Sequence, residues 1–515
     1  MTVTSSTTVE RRKLQGYDFY REVLGSPKYI GAPMVDQSEL AWRKLSRRYG
    51  VQVAYTPMIN AKMFSMNNRK PYRELAFNTV LGEEGGPGDR PLIVQFCAND
   101  PEQLLTSAKV LESHCDAIDI NLGCPQDIAK KGRYGSFLQD EWDLIFKMIN
   151  TLHENLSIPV TAKFRVFPSL EKTVEYAKML ERAGAQILTC HGRTREQRGH
   201  HSGLADWAKI RAVKEAVKVP VFANGNILFH SDIARCLEET GADGVMSAEG
   251  QLYNAALFAP AIPLTLHTSE PESSDSPPSA EPSPSSPSSP PVFDTGLHPI
   301  HTTLAFQYLD IVKTQKTPTA PSAIKGHLFK ILRPALNREK DLRERLGRII
   351  GKDQFSVYHA IVEELHVRMV RDVKEALGEA LGERYLKIQS GEAGTGIESL
   401  NDDDLRILGD LVATDASTSL KTLPHWVAQP YFRPPPKPAA IPTEEQNLET
   451  PVEDPTMVLG SQAADDNRAA PIKRPHSERT PEGDGAKGVE DLKRMKLDLD
   501  DSVEGLVGTG GVVCG

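Results

Sequence analysis

Short apolar, β-branched runs recur through the first half of the chain: Tyr29–Val35, Val53–Ile59, Leu92–Ala98, Ala117–Leu122, Val160–Val166, Gln186–Cys190, Val219–Ala223 and Gly244–Ser247. Each has the length of a strand. Between most of them the apolar positions change to helical spacing. In Pro101–Ser113, Leu104, Leu105, Ala108 and Leu111 share one face, and the same spacing predicts helices over Glu141–Leu152, Leu170–Ala183, Trp207–Val217 and Asp232–Glu239. Alternating strands and helices imply parallel strands joined by right-handed crossovers. Eight such strands in about 250 residues is the size and count of an α/β fold of the (β/α)8 TIM-barrel type. A doubly wound open sheet is the rival, but its first strand usually leads into a Gly-rich turn. Here that strand runs into Gly31-Ala32-Pro33-Met34, with no GxGxxG.

Composition divides the rest. Residues 1–16 are a polar tail, and 17–265 form the barrel block. Ser269–Pro291 holds 10 Ser and 8 Pro in 23 residues. Such a stretch buries too little apolar surface to offset its ordering entropy, so 266–297 is expected to be a disordered linker. A second globular block with helical spacing covers 298–385, and 386–515 drifts into Pro, Glu, Asp and Gly as a mostly disordered tail, with one short helix expected near Leu400–Thr414. No run approaches the roughly 20 apolar residues that cross a bilayer, which points away from an integral membrane protein. The polar start Met1–Glu10 lacks the apolar segment of a secretory signal.

The net charge of −9 excludes an overall basic coat but not a local basic patch. Six cysteines (Cys97, Cys115, Cys124, Cys190, Cys236 and Cys514) show no C-x-x-C pair, so neither a metal site nor a disulfide framework is expected, and a reducing compartment is.

A barrel places its chemistry at the C-terminal ends of its strands. Gln95, Asn121, Cys124, Lys163, Arg165, His191, Arg193, Asn224, Asn226 and Glu249 all fall there. Any one of them alone would be an ordinary hydrogen-bonding residue or an inert thiol; their shared placement argues for a site.

The string Asp119-Ile120-Asn121-Leu122-Gly123-Cys124-Pro125-Gln126, followed by Gly132-Arg133-Tyr134-Gly135-Ser136-Phe137-Leu138, resembles the signature of the tRNA-dihydrouridine synthase family. Ala32–Val35, Thr161–Arg165, His191–Arg195 and Ala223–Ile227 agree with it, and the details HGRTREQRG and NGNI are most similar to its eukaryotic dihydrouridine synthase 1 subfamily. Many bacterial relatives have NGDI, so Asn226 departs from the wider pattern. The resemblance covers about residues 25–265, more weakly 298–385, and leaves out the Ser/Pro insertion.

What the resemblance implies is an FMN enzyme that uses NADPH to reduce a uracil ring in tRNA, at D-loop uridines 16 and 17. Saturating the C5–C6 bond needs a hydride, which only a redox cofactor can supply, and a proton. Cys124, at the tip of the fourth strand before a Gly-rich loop, is then the proton donor, a thiol with an ordinary pKa near 8.5 being mostly protonated at neutral pH. Asn224, Gly225 and Asn226 after the seventh strand, with Ala248 and the backbone of Glu249 after the eighth, would take the FMN phosphate. Lys163 would face the flavin edge where negative charge develops. Gln95 would pair with a flavin carbonyl and ring N–H, His191 would contact phosphate or ring, and Pro33, Met34 and Val35 would line the ring. Arg165 and Arg193 could serve phosphate or form structural ion pairs.

For RNA, Ala323–Lys352 carries nine Lys/Arg against three acids on near-helical spacing, with a break at Pro334. Lys325, Lys330, Arg333 and Arg338 are the expected phosphate contacts. A second contact is expected in the loop Lys62–Lys70. Two other readings stay in view: a flavin-dependent reductase or dehydrogenase of free pyrimidines, and a barrel that only binds RNA. The basic block disfavours the first, and the intact Cys124, Lys163 and His191 disfavour the second. Cytoplasmic residence is the default expectation, with nuclear entry left open by Lys473-Arg474 and Lys493-Arg494-Met495-Lys496.

Overall fold

A computed structural model describes residues 13–432 apart from 67–68, 200–201, 260–292, 294, 352–353, 391–399, 401 and 417. Eight parallel strands close into a barrel: β1 (Tyr29–Gly31), β2 (Val53–Tyr55), β3 (Leu92–Cys97), β4 (Ala117–Leu122), β5 (Val160–Arg165), β6 (Ala185–His191), β7 (Val221–Asn224) and β8 (Gly244–Ser247). Closure runs through β1, which pairs with β2 on one side and with β8 on the other, Ile30 opposite Met246. This is the expected (β/α)8 TIM barrel. Helices lie at Pro101–Leu111, Trp142–Asn155, Leu170–Arg182, Trp207–Ala216 and Ser231–Thr240. Three of them start on side-chain caps: Asp100, Ser169 and Asp206 each accept a backbone N–H from the first turn. Their apolar stripes and the outer faces of the strands form one continuous core.

Two strands are shorter than the apolar runs that encode them. β1 stops at Gly31 because Pro33 cannot donate to a ladder and the chain turns at once. Ser38 Oγ bonds both N–H and C=O of Met34, and Asp36 takes a left-handed conformation, φ 55°. β2 breaks at Thr56-Pro57, and the end of the run, Ile59, pairs separately with the end of β3 together with Asn60.

The second block is helical: His301–Thr314, Pro321–Ile331, Arg333–Leu336, Lys340–Gly347, Phe355–Leu377, Glu379–Ser390 and Asp402–Asp410. The chain breaks at Leu332, and Pro334 sits in the first turn of the next helix, where its missing N–H costs nothing. These helices share a hydrophobic core with one side of the barrel. At the joint, Tyr308 Oη donates to Glu39 (2.8 Å), His327 Nε2 lies 3.0 Å from the same carboxylate, and the His327 ring stacks on Trp42 at 4.2 Å. Burial alone would raise the Glu39 pKa; the His327 and Tyr308 contacts hold it below the ordinary range.

The packed region reaches beyond the boundary expected at 385. Leu408, Leu423, Trp426 and Val427 are buried, Val427 bridges to Ile300, and His298 Nδ1 lies 2.7 Å from the Ala428 carbonyl. The expected linker also ends early, since Phe293 and Thr295 are already buried. Residues 266–292 and 294 of that linker, the residues beyond 432 and both basic clusters near the C-terminus lie outside the described residues. Among the described residues no helix is long and apolar enough to cross a membrane.

Candidate active site

Registry brings the polar strand ends together. Across neighbouring strands Gln95 stands opposite Asp119, Asn121 opposite Lys163, Arg165 opposite His191, and His191 opposite Asn224. All are buried at the C-terminal mouth of the barrel.

Cys124 follows β4 and is 1% exposed. Its backbone is fastened from both sides. Its N–H donates to Asn121 Oδ1 (2.9 Å), and its carbonyl accepts from the N–H (3.0 Å) and Oγ (2.9 Å) of Ser136. Gly135 makes this approach possible: its φ is +65°, and a Cβ there would stand 2.7 Å from the Cys124 oxygen. The residue packs with Cys97, Ala129, Tyr134, Met58 and Phe137. The loop after β6 braces this loop from outside, through Arg198 to Pro125 O (2.8 Å) and to Asp127 (2.9 Å).

At β6 and β7 the pairing is incomplete. Arg193 donates to His191 Nε2 at 3.2 Å. Burial first, then Arg165, Lys163 and Arg193, push the imidazole pKa far below its usual value, so the ring is neutral. Arginine has no acceptor, so Nε2 accepts and the network assigns the proton to Nδ1. Among the described residues that buried Nδ1–H has no protein partner, nor does Oδ1 of the neighbouring Asn224, whose Nδ2 donates to Met246 O (3.0 Å). Gly225 has φ +112°, and a Cβ on it would lie 2.7 Å from Ala205 Cβ. A buried donor and acceptor side by side, next to a backbone stretch that tolerates no side chain, fit the phosphate or polyol portion of a flavin nucleotide.

Other expected site residues sort as follows. Lys163 is buried, with Asp119 and His191 in its field. Pro33 and Met34 are buried in the turn after β1, and Val35 is half-buried there. Ala248 is buried directly before the helix Glu249–Tyr253, and Glu249 lies in the field of Lys330.

Gln95 is held by residues of the neighbouring strand. Its amide is engaged within the protein: Nε2 donates to Asp119 (2.8 Å) and Oε1 accepts from Asn121 (2.8 Å). Each amide atom keeps a second position, one N–H and one lone pair, for the expected contact with a flavin carbonyl and ring N–H. Asn226 is also engaged, its Oδ1 accepting from Arg193 (2.8 Å) and Ala205 N, and its Nδ2 donating to Ala205 O (3.1 Å). An aspartate could not make the last of these bonds, which gives the NGNI form its reason. Arg165 binds carbonyls of Gly123, Thr194 and Gln197, so it ties loops together.

The basic quartet does not form one solvated face. Lys325 donates to Gly347 O (2.9 Å), and Lys330 turns into the joint and donates to Gln37 Oε1 (2.9 Å). Burial pushes Lys330 down to about 8. Arg333 stacks on Tyr431 at 3.5 Å, and Arg338 is exposed. In the expected second contact, Lys62 is exposed, while Asn67 and Asn68 lie outside the described residues. Asp119, within the Asp119–Gln126 string, has no role that its place in the sequence alone assigns. It is fully buried, accepts from Thr161 (2.6 Å) and Gln95, and burial raises its pKa to about 6. A lone carboxylate between Ile118 and Ile120 was the signal.

A closed parallel barrel with its buried polar groups gathered at the C-terminal mouth has the build of a (β/α)8-barrel enzyme. Residues 30–281 match the family model described as dihydrouridine synthase. The chain is 42% identical over 435 residues to a tRNA-dihydrouridine(16/17) synthase of Saccharomyces cerevisiae, covering 84% of this chain and 89% of that one. It is 42% identical to the Schizosaccharomyces pombe protein of the same name, covering 82% and 92%. A Rattus norvegicus relative named as similar to that synthase is 43% identical, covering 82% and 78%. This chain belongs to the dihydrouridine synthase family.

Proposed function

We propose that this protein is an FMN-dependent tRNA-dihydrouridine synthase that reduces the C5–C6 bond of D-loop uridines 16 and 17, with NADPH as reductant and Cys124 as proton donor. Two relatives that align along most of their length carry the tRNA-dihydrouridine(16/17) name with NAD(P)(+) in it. The observation that carries the chemical reading is the two-sided fastening of the Cys124 backbone at the mouth of the barrel.

Gln95, Lys163, His191, Asn224 and the backbone at Gly225, Asn226, Ala248 and Glu249 would hold the FMN, with Pro33–Val35 against its ring. When bound, it supplies the hydride that no side chain can give. The chain's own groups do the rest. Cys124 Sγ–H gives its proton to C5, the ring carbon next to C6, where the hydride adds, and is left as a thiolate. Lys163 offsets negative charge that develops in the site. His191 offers its Nδ1–H to a phosphate or a ring acceptor. The target base has to leave its stack to reach this depth, a cost of a few kcal/mol that is lower for an unpaired loop base. Arg338 and the exposed cations around it supply phosphate contact. Cytoplasmic residence with nuclear entry belongs to the same proposal.

The test is expression of the full chain in cells lacking their own tRNA-dihydrouridine(16/17) synthase, followed by mapping of dihydrouridine in their tRNA. Its return at positions 16 and 17 is the expected result. A flavin-loaded protein that leaves those positions as uridine would overturn the substrate assignment.

A further inference from the structure

We propose that Asp119 is a positioning residue that holds the Cys124 loop through a one-way row of hydrogen bonds passing through Gln95 and Asn121. Read from the loop, the N–H groups of Gly123 (3.1 Å) and Cys124 (2.9 Å) donate to Asn121 Oδ1. Asn121 Nδ2 donates to Gln95 Oε1 (2.8 Å), and Gln95 Nε2 donates to Asp119 Oδ2 (2.8 Å). Thr161 Oγ1 donates to the other carboxylate oxygen at 2.6 Å.

Two primary amides facing each other are ambiguous by themselves, because flipping both preserves the bond between them. The ends of this row remove the ambiguity. A backbone N–H can only donate, and an ionised carboxylate can only accept. Gln95 and Asp119 are 0% exposed and Asn121 is 6% exposed, so solvent does not replace a lost partner. Strand geometry makes the row possible: Asp119 and Asn121 are two apart on β4 and share a side, and Gln95 stands opposite Asp119 on β3.

Without the carboxylate, Gln95 Nε2 would be a buried donor with no acceptor. Rotation of Gln95 relieves that but takes the acceptor from Asn121 Nδ2. Asn121 then reorients and releases the N–H groups that fasten Cys124. Asp119 thus acts on the thiol through two intervening side chains and never touches the substrate.

This inference rests on the reading of Cys124 as proton donor, and the experiment separates the two. In full-length protein, alkylation of Cys124 by iodoacetamide is followed by peptide mass, beside kcat and KM for tRNA. Asp119→Leu should raise the Cys124 alkylation rate about tenfold and lower kcat about tenfold with KM unchanged, the size of effect expected for one buried hydrogen bond. Asp119→Asn should restore both, because its carbonyl still accepts from Gln95. Should Asp119→Leu fail to fold, Gln95→Met cuts the row one step further on and must raise the alkylation rate likewise in cofactor-free protein. An unchanged alkylation rate in these variants, or an Asp119→Asn protein as reactive as Asp119→Leu, overturns the proposal. If alkylation rises as expected while Cys124→Ala keeps full activity, the positioning stands and the proton-donor role falls.

Discussion

The two sides of the barrel mouth are completed differently. Around β3 to β5, Gln95, Asp119, Asn121 and the Cys124 backbone answer one another's hydrogen-bonding needs within the protein. Around β6 and β7, His191 Nδ1 and Asn224 Oδ1 are as deeply buried but have no protein partner among the described residues. A buried polar atom without a partner costs about 1–3 kcal/mol. The first side fixes the Cys124 backbone in one place, and the second leaves a buried donor and acceptor unanswered among the described residues.

The largest expected break in that contrast is Cys124→Ala. It should retain flavin and slow dihydrouridine formation on the order of 100- to 10,000-fold, measured by single-turnover reduction of tRNA. Turnover at the wild-type rate would mean that another group delivers the proton.

Asp119→Asn sharpens the account of the paired side. Burial raises the Asp119 pKa to about 6 in the folded protein, so between pH about 4 and 6 the folded state holds more protons than the unfolded one. Its ionisation therefore costs stability as pH rises through that window, and the cost is fully present above it. The asparagine variant should be more stable at pH 7 by up to about 3 kcal/mol, with the gain shrinking toward pH 4. Urea denaturation at both pH values decides it; an equal gain at each would assign the effect to something other than this carboxylate.

Gly225→Ala tests the unpaired side. At φ +112°, with Ala205 and His191 in contact range, an added methyl should cost about 1–3 kcal/mol and weaken flavin retention on dialysis. Undiminished retention would remove this turn from the cofactor site.

Outside both sides the effects should be smaller. Arg338→Glu should weaken tRNA binding a few-fold and lower the salt slope by about one unit. Lys330→Met should leave that slope unchanged, since its ammonium bonds Gln37 in the joint. Matching slopes in the two variants would mean that Lys330 also reaches phosphate. Deletion of Ser269–Pro291 should change neither flavin content nor turnover; loss of flavin would show that the segment packs on the barrel.

The barrel was legible because buried parallel strands and amphipathic helices write their periods into the chain, and all eight apolar runs became strands. What shortened two of them was local: Pro33 and Pro57 interrupt ladders that apolar character alone would extend. Cys124, Lys163, His191 and Asn224 were legible as polar groups at strand ends, but their partners were not. Spacing cannot tell that Gln95 bonds Asp119 on the neighbouring strand. Nor can it tell a solvated basic helix face from one whose Lys330 bonds Gln37 in the joint. Residues such as Leu423, Trp426 and Val427 are isolated apolar positions in a polar stretch, and only the surface they cover gives them a role.

The central claim is that this barrel carries electrons to a uracil within tRNA. The direct measurement is anaerobic: protein reduced with NADPH is mixed with an unmodified tRNA transcript, its flavin absorbance is followed, and the product is mapped. The account predicts reoxidation in step with dihydrouridine appearing in the D-loop, and none with free uridine or uracil. Reoxidation by the free pyrimidine, with the tRNA left unchanged, would contradict it.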